Sequence, residues 1–177
     1  MANEFTLSTP AGEPATRSLM MCFLNTGTKE APVWSVLGTR VEESSVEFDY
    51  QMESKTDVLD QTRTTARKPI RTQSFEPCEV DSADSAQAKL IQLAIVEDNV
   101  QALLNLDMLI VHAYLKNSTG KVFAERFDAC SILPESLGGA GGAALGMPIN
   151  VTYGGERITG TATVTGTTVT FVAANAA

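Results

Sequence analysis

At 177 residues the chain has the length of one domain, and its formal net charge of −8 has the wrong sign for a protein that holds nucleic acid by neutralising phosphates. Apolar residues make up 44% and charged residues 19%, so a core can form without a disulfide or a metal. The three cysteines, Cys22, Cys78 and Cys130, are odd in number and widely spaced; they fit neither a disulfide framework nor a zinc site and read as reduced, packed thiols.

Met1 to Pro14 is polar, which predicts no secretory signal, and no apolar run reaches the roughly 18 residues that a membrane span needs. Residues 1–18 are rich in Ser, Thr, Pro and Gly and are expected to form a flexible arm. A single domain is expected over 19–172, with a frayed end over 173–177. Leu19 to Leu24 is a continuous apolar run too short for a stable helix, and predicts a strand buried on both faces. Asn25-Thr26-Gly27 supplies a turn. Pro32 cannot donate to a ladder, so the segment Val33 to Leu37 begins after it and stops at Gly38.

The clearest periodicity lies at Val46 to Glu53. Val46, Phe48, Tyr50 and Met52 alternate with Glu47, Asp49, Gln51 and Glu53, which predicts one strand with a core face and an acidic face. Ser54 to Lys68 is polar and Thr-rich and reads as a long loop, of a length that is usually functional or mobile. Ile70 to Phe75 returns as a strand. The segment from Glu43 to Phe75 is expected to order fully only on a neighbour, because it has little apolar surface to bury alone. The densest basic stretch is Arg63, Arg67, Lys68 and Arg71. Asp57 and Asp60 accompany it, so it reads as a solvated or intersubunit face.

One helix is expected. Asp81, Ser82 and Asp84 offer N-cap side chains, and Ala86, Leu90, Leu93 and Ala94 recur at helical spacing. Met108 to Leu115 predicts a central strand, Asn117 to Gly120 a turn, and Val122 to Leu133 the returning strand. Gly138 to Ala144 lacks side chains large enough to pack. Met147 to Tyr153 and Gly160 to Val172 supply further strands. The fold class is therefore mainly β (α+β): a sandwich or barrel with one flanking α-helix and a long hairpin loop. Trp34, Phe48, Tyr50, Leu90 and Leu93 are the expected core residues.

The sequence contains no nucleophile elbow, P-loop or dinucleotide fingerprint. The single histidine, His112, has no ligand-spaced partner and reads as packed. The glycine-rich stretch lacks the Lys-Ser/Thr end of a phosphate loop. No catalytic, cofactor-binding or metal-binding residue is assigned, and the chain is read as a non-enzyme.

Leu19 to Gly38 resembles the opening of phage major tail tube proteins, at Asn25, Gly27, Pro32, Trp34 and Gly38. The order of the later elements agrees over Leu19 to Phe171, while the Gly-Gly-Ala repeat is richer in small residues than that family leads one to expect. The resemblance implies a structural virion protein made in the bacterial host cytoplasm. It implies hexameric rings stacked into a tube that passes DNA without specific binding. Its partners would be copies of itself, a tape measure protein and a tail terminator; no cofactor and no membrane are implied. On that reading Glu47, Asp49 and Glu53 are candidates for the channel wall. Asp57, Asp60, Arg63, Arg67 and Lys68 belong to the loop that bridges subunits. Two other classes remain: the inner tube of a contractile tail or injection machine, and a monomeric adhesin-type β-sandwich.

Overall fold

A computed structural model describes residues 4–174. The strands are β1 (Thr6–Leu7), β2 (Met20–Asn25), β3 (Trp34–Leu37), β4 (Val46–Asp49), β5 (Glu53–Thr56), β6 (Thr62–Thr65), β7 (Ile70–Phe75), β8 (Leu106–Lys116), β9 (Val122–Pro134), β10 (Ile149–Tyr153), β11 (Arg157–Thr165) and β12 (Thr168–Ala173). The helical segments are α1 (Ser85–Ile91), a π-helical continuation at Gln92–Val96, and α2 (Val100–Leu103). All strand pairings are antiparallel. The protein is mainly β with one flanking helical segment, as the sequence patterning predicts.

The architecture turns on β9. Its first half, Val122 to Phe127, pairs with β11, and its last residues, Ser131 to Pro134, pair with β10. One long strand thus serves two layers. The first layer runs β3-β2-β8-β9-β11-β12 and curls until β12 approaches β3, with no ladder between them. Its concave face encloses Phe23, Leu109, Val111, Ala124, Ala162 and Val169. The second layer, β9-β10-β7-β4, packs on the opposite face of the first. Met108 and Ile110 meet Phe75, Ile132, Ile149 and Val151 there, and Ala86, Leu90 and Leu103 close the end of that core.

Local chemistry explains the helical segment. The Asp84 carboxylate accepts from the backbone N–H of Ala86 (2.9 Å) and Gln87 (3.1 Å), which fixes the start at Ser85. Asn99 caps α2 by accepting from the Ala102 N–H at 3.1 Å.

Several sequence expectations are corrected. The stretch Ser54 to Lys68 is not a loop: β5 and β6 pair Glu53 to Thr56 with Thr62 to Thr65. Its threonines are polar but β-branched, and hydroxyls meet across the strands at Ser54–Thr64 (3.1 Å) and Thr56–Thr62 (3.0 Å). The strand expected over Val46 to Glu53 breaks at Gln51, where φ is 45° and the N–H donates to the Asp49 carboxylate at 2.9 Å. Phe48 and Tyr50 are consequently not core residues; they stack on each other with 49% and 48% of their surfaces exposed. Gly160 to Val172 is two strands, because Gly166 with φ 61° makes a tight turn between β11 and β12. The N-terminal arm is attached: Thr6 and Leu7 pair with Lys116 and Leu115, and Phe5 sets its ring edge-on to Phe123. Residues 1–3 of that arm, and residues 175–177 of the expected frayed end, lie outside the described residues. Leu90 is fully buried, while Leu93 and Trp34 are partly buried against the two cores.

All three cysteines are buried, and burial pushes the thiols of Cys78 and Cys130 up to about 11 and about 12. An aromatic disulfide reagent at pH 8 is expected to label none of them in the folded protein and all three in denaturant; rapid labelling under native conditions contradicts this packing.

Candidate functional site

The described residues place three features together that bear on function: a clasp under the first loop, a buried charge cluster, and a projecting arm.

The clasp is built on Asn25, the last residue of β2 and almost fully buried. Its Oδ1 accepts from the backbone N–H of Gly27 (2.9 Å) and Val33 (3.0 Å). Its Nδ2 donates to the Thr28 carbonyl (2.8 Å) and to the Asp107 carboxylate (3.1 Å). Its own carbonyl accepts from Lys89 Nζ of α1 at 2.7 Å. Asp107, at the start of β8, is held by Arg126 of β9, whose Nε lies 2.9 Å and 3.1 Å from the two oxygens. The Arg126 guanidinium sits 5.7 Å from the centre of the Trp34 ring. Gly27 is required because a Cβ there would lie 2.5 Å from the Ala31 carbonyl oxygen. The spacing of Asn25, Gly27, Pro32 and Trp34 is thus the signature of one folded loop, stabilised by a single side chain. Replacing Asn25 with Ala leaves the part-buried backbone donors of Gly27 and Val33 without their acceptor and the buried Asp107 carboxylate short of one donor, and is expected to cost about 2 kcal/mol. Chemical denaturation checks this; an unchanged midpoint would show that the loop holds without Asn25.

The charge cluster surrounds Glu125, which is 2% exposed. Arg71 of β7 donates to its carboxylate at 2.8 Å, Arg157 of β11 donates to the other oxygen, and His112 Nε2 of β8 lies at 2.9 Å. The Tyr114 hydroxyl lies 2.8 Å from His112 Nδ1, so the tautomer that satisfies both partners carries its proton on Nε2. Burial alone would raise the carboxyl. The hydrogen bonds from His112 and Arg157 and the nearby arginine charges outweigh it and hold the group at about 2, against an ordinary 4.5. His112 has no partner at ligand spacing in the sequence; its carboxylate partner comes from the neighbouring strand. Arg71 also lies 5.2 Å from the Phe48 ring and 5.6 Å from that of Phe127, so the cluster ties the root of the arm to the first layer.

A depressed carboxyl contributes stability that is present above pH 4.5 and is lost as pH falls toward 2. The shift corresponds to about 3 kcal/mol. Urea midpoints measured across that window are expected to fall steeply in the native protein and less steeply in a Glu125→Gln variant. Parallel pH profiles for the two would show that Glu125 is not the titrating group.

The arm is the paired β5 and β6 on the root formed by β4 and β7. Every residue of β5 and β6 is exposed, and the two strands pair only with each other. Its tip turns at Asp57-Val58-Leu59-Asp60, where the Asp57 carboxylate accepts from the N–H of Leu59 (2.9 Å) and Gln61 (3.1 Å). Val58 and Leu59 are 102% and 76% exposed. Of the residues the sequence marks for a bridging loop, Asp57 and Asp60 sit in this turn. Arg63 lies on β6 opposite Lys55, and Arg67 approaches Glu53 at 3.9 Å; Lys68 follows, exposed. Glu47 and Asp49 are exposed on β4, whereas Glu53 lies beyond the Gln51 bend and does not continue their face.

No family model matches the chain, and no curated protein matches it. The solved structures it is similar to include the following three. One is the sheath-tube complex of the extracellular contractile injection system PVC in its extended state: 10% identity, TM-score 0.48, covering 85% of this chain and 94% of that chain. The second is the tube-terminating cap of the anti-feeding prophage: 11% identity, TM-score 0.49, covering 87% and 95%. The third is the PVC sheath/tube terminator in the extended state: 12% identity, TM-score 0.43, covering 85% and 99%. Overlaps this loose transfer no residue role.

Among the described residues no group of three or more His, Cys, Asp or Glu side chains is arranged to hold a metal, and no helix is long and apolar enough to cross a membrane.

The Asp107 and Glu125 clusters escaped the sequence reading, yet a signal existed. By period-2 spacing Glu125 shares a strand face with Phe123 and Phe127 on β9, and Asp107 with Leu109 and Val111 on β8. A carboxylate on an apolar period-2 face requires partners inside.

Proposed function

We propose that this chain is a structural subunit of a tail-like tube, working by association with copies of itself and not by catalysis. The observation that carries the reading is the arm. A two-stranded projection with Met52, Val58 and Leu59 in the open is costly for a monomer and useful only where a neighbour covers it. Two further features support it. The strands β3, β4 and β12 each pair on one side only among the described residues, and closure of subunits into a ring is one way to cover such edges. The loop clasped by Asn25 carries the residues that resemble phage tail tube proteins.

In the finer form of this proposal, hexameric rings stack into a channel that passes DNA as part of a virion tail. A tape measure protein and a terminator are its further partners. Glu47 and Asp49 are proposed for the channel wall, where like charge would keep a polyanion from adhering.

The test is sedimentation velocity with negative-stain imaging at rising protein concentration. Rings or tubes are expected for the native chain. A variant in which residues 53–65 are replaced by a short turn should stay monomeric while keeping its thermal transition, because β5 and β6 pair only with each other. A native chain that remains monomeric throughout overturns the proposal; higher-resolution images of the tubes locate Glu47 and Asp49.

A further inference from the structure

An open depression of about 410 Å³ lies at the end of the curled layer farthest from α1. Its floor is apolar, from Leu19, Met21, Val122 and Val164, and its rim carries Lys116 and Lys121 at the two ends of the β8–β9 turn. Both lysines are exposed, and neither forms an ion pair among the described residues. In a chain of net charge −8, two free cations beside an apolar floor ask for an occupant that is apolar in the middle and acidic at its sides.

The tip of the arm has that composition. Val58 and Leu59 project from the turn, and Asp57 and Asp60 flank them. The turn is preorganised, since Asp57 caps it through Leu59 and Gln61 and Asp60 already holds φ 62°. Resting on the self-association reading above, we infer that the arm tip of one copy seats in the Lys116–Lys121 depression of a second copy. Val58 and Leu59 cover the floor, and Asp57 and Asp60 face the two lysines.

Charge favours this seat over another exposed apolar surface, the π-helical corner. Ile95, Val96 and Val100 at the π-helical corner are also exposed, but Glu97 and Asp98 stand among them and would repel an acidic tip. The depression offers attraction at the same point where the corner offers repulsion.

A charge-reversal cycle tests the inference, read by sedimentation velocity. Lys116→Glu with Lys121→Glu, and separately Asp57→Lys with Asp60→Lys, are each expected to weaken association by roughly tenfold or more. The chain carrying all four substitutions should recover part of it, because lysine at 57 no longer accepts from Leu59 and Gln61. Asp57→Asn with Asp60→Asn, which keeps the accepting oxygen and the left-handed backbone while removing the charge, should weaken association as well. All four positions are exposed, so the thermal transition of the body should match the native one. A second measurement covers any variant that misfolds: mixing a Leu59→Cys chain with a Thr119→Cys chain under oxidation should give a disulfide between copies, since the native cysteines are buried. If the native chain assembles while the reversed chains assemble equally well, or the cross-link does not form, the seat is wrong and the tube reading stands. If the native chain does not assemble at all, the tube reading fails and the seat with it.

Discussion

A carboxylate inside a protein needs partners for its oxygens, and Asp107 meets that demand in a way that organises everything near it. Arg126 holds both of its oxygens, Asn25 donates to one, and Asn25 in turn fixes the loop from Gly27 to Val33. The same asparagine receives Lys89 from α1 through its carbonyl. Strand β2, the first loop, the helix, β8 and β9 are therefore held to one another by a single connected set of hydrogen bonds. Trp34 rests on the guanidinium that closes the set. Hydrophobic burial supplies most of the driving force for collapse, but it is nondirectional; this network specifies how the loop lies.

Glu125 performs the corresponding task on the opposite face of β9, one residue before Arg126. It gathers Arg71, Arg157 and His112 from three different strands. The hydrogen bonds and arginine charges around the buried carboxylate keep it ionised, and one of those arginines, Arg71, stands on β7 at the root of the arm. Because Arg71 lies between Phe48 and Phe127, the half-exposed aromatic pair at the root gains a cationic platform. The arm is thereby anchored at its base, and its own ladder carries it outward without help from the core.

The division between a fixed body and an exposed arm has a physical consequence. Side chains such as Met52, Val58 and Leu59 contribute nothing to the stability of the subunit where they stand. Their burial free energy is withheld until another surface covers them. On the proposed reading, a subunit built this way folds on its own clusters and keeps a separate store of apolar area for association. The acidic balance of the chain works in the same direction, since it slows indiscriminate contact and leaves matched charges to select the correct one.

Periodicity along the chain was enough to mark β2, β8, β9 and the start of α1, because each depends on local pattern and local capping. Alternation and helical spacing are properties of neighbours in sequence. The order of those patterns was likewise enough to define a mainly β chain with a single helical segment, and the spacing of Asn25, Gly27, Pro32 and Trp34 marked the first loop. What the pattern could not decide was partnership. Val46 to Glu53 reads as one strand until Gln51 adopts φ 45°, and then Phe48 and Tyr50 leave the core. Ser54 to Lys68 reads as a loop because its residues are polar, yet threonines that face one another form a ladder. Asp107, His112 and Glu125 read as isolated until strands from distant parts of the chain bring Asn25, Arg126, Arg71 and Arg157 to them. Those contacts exist only after the sheet curls, and long-range geometry of that kind is set by the packing of whole layers and not by any window of sequence.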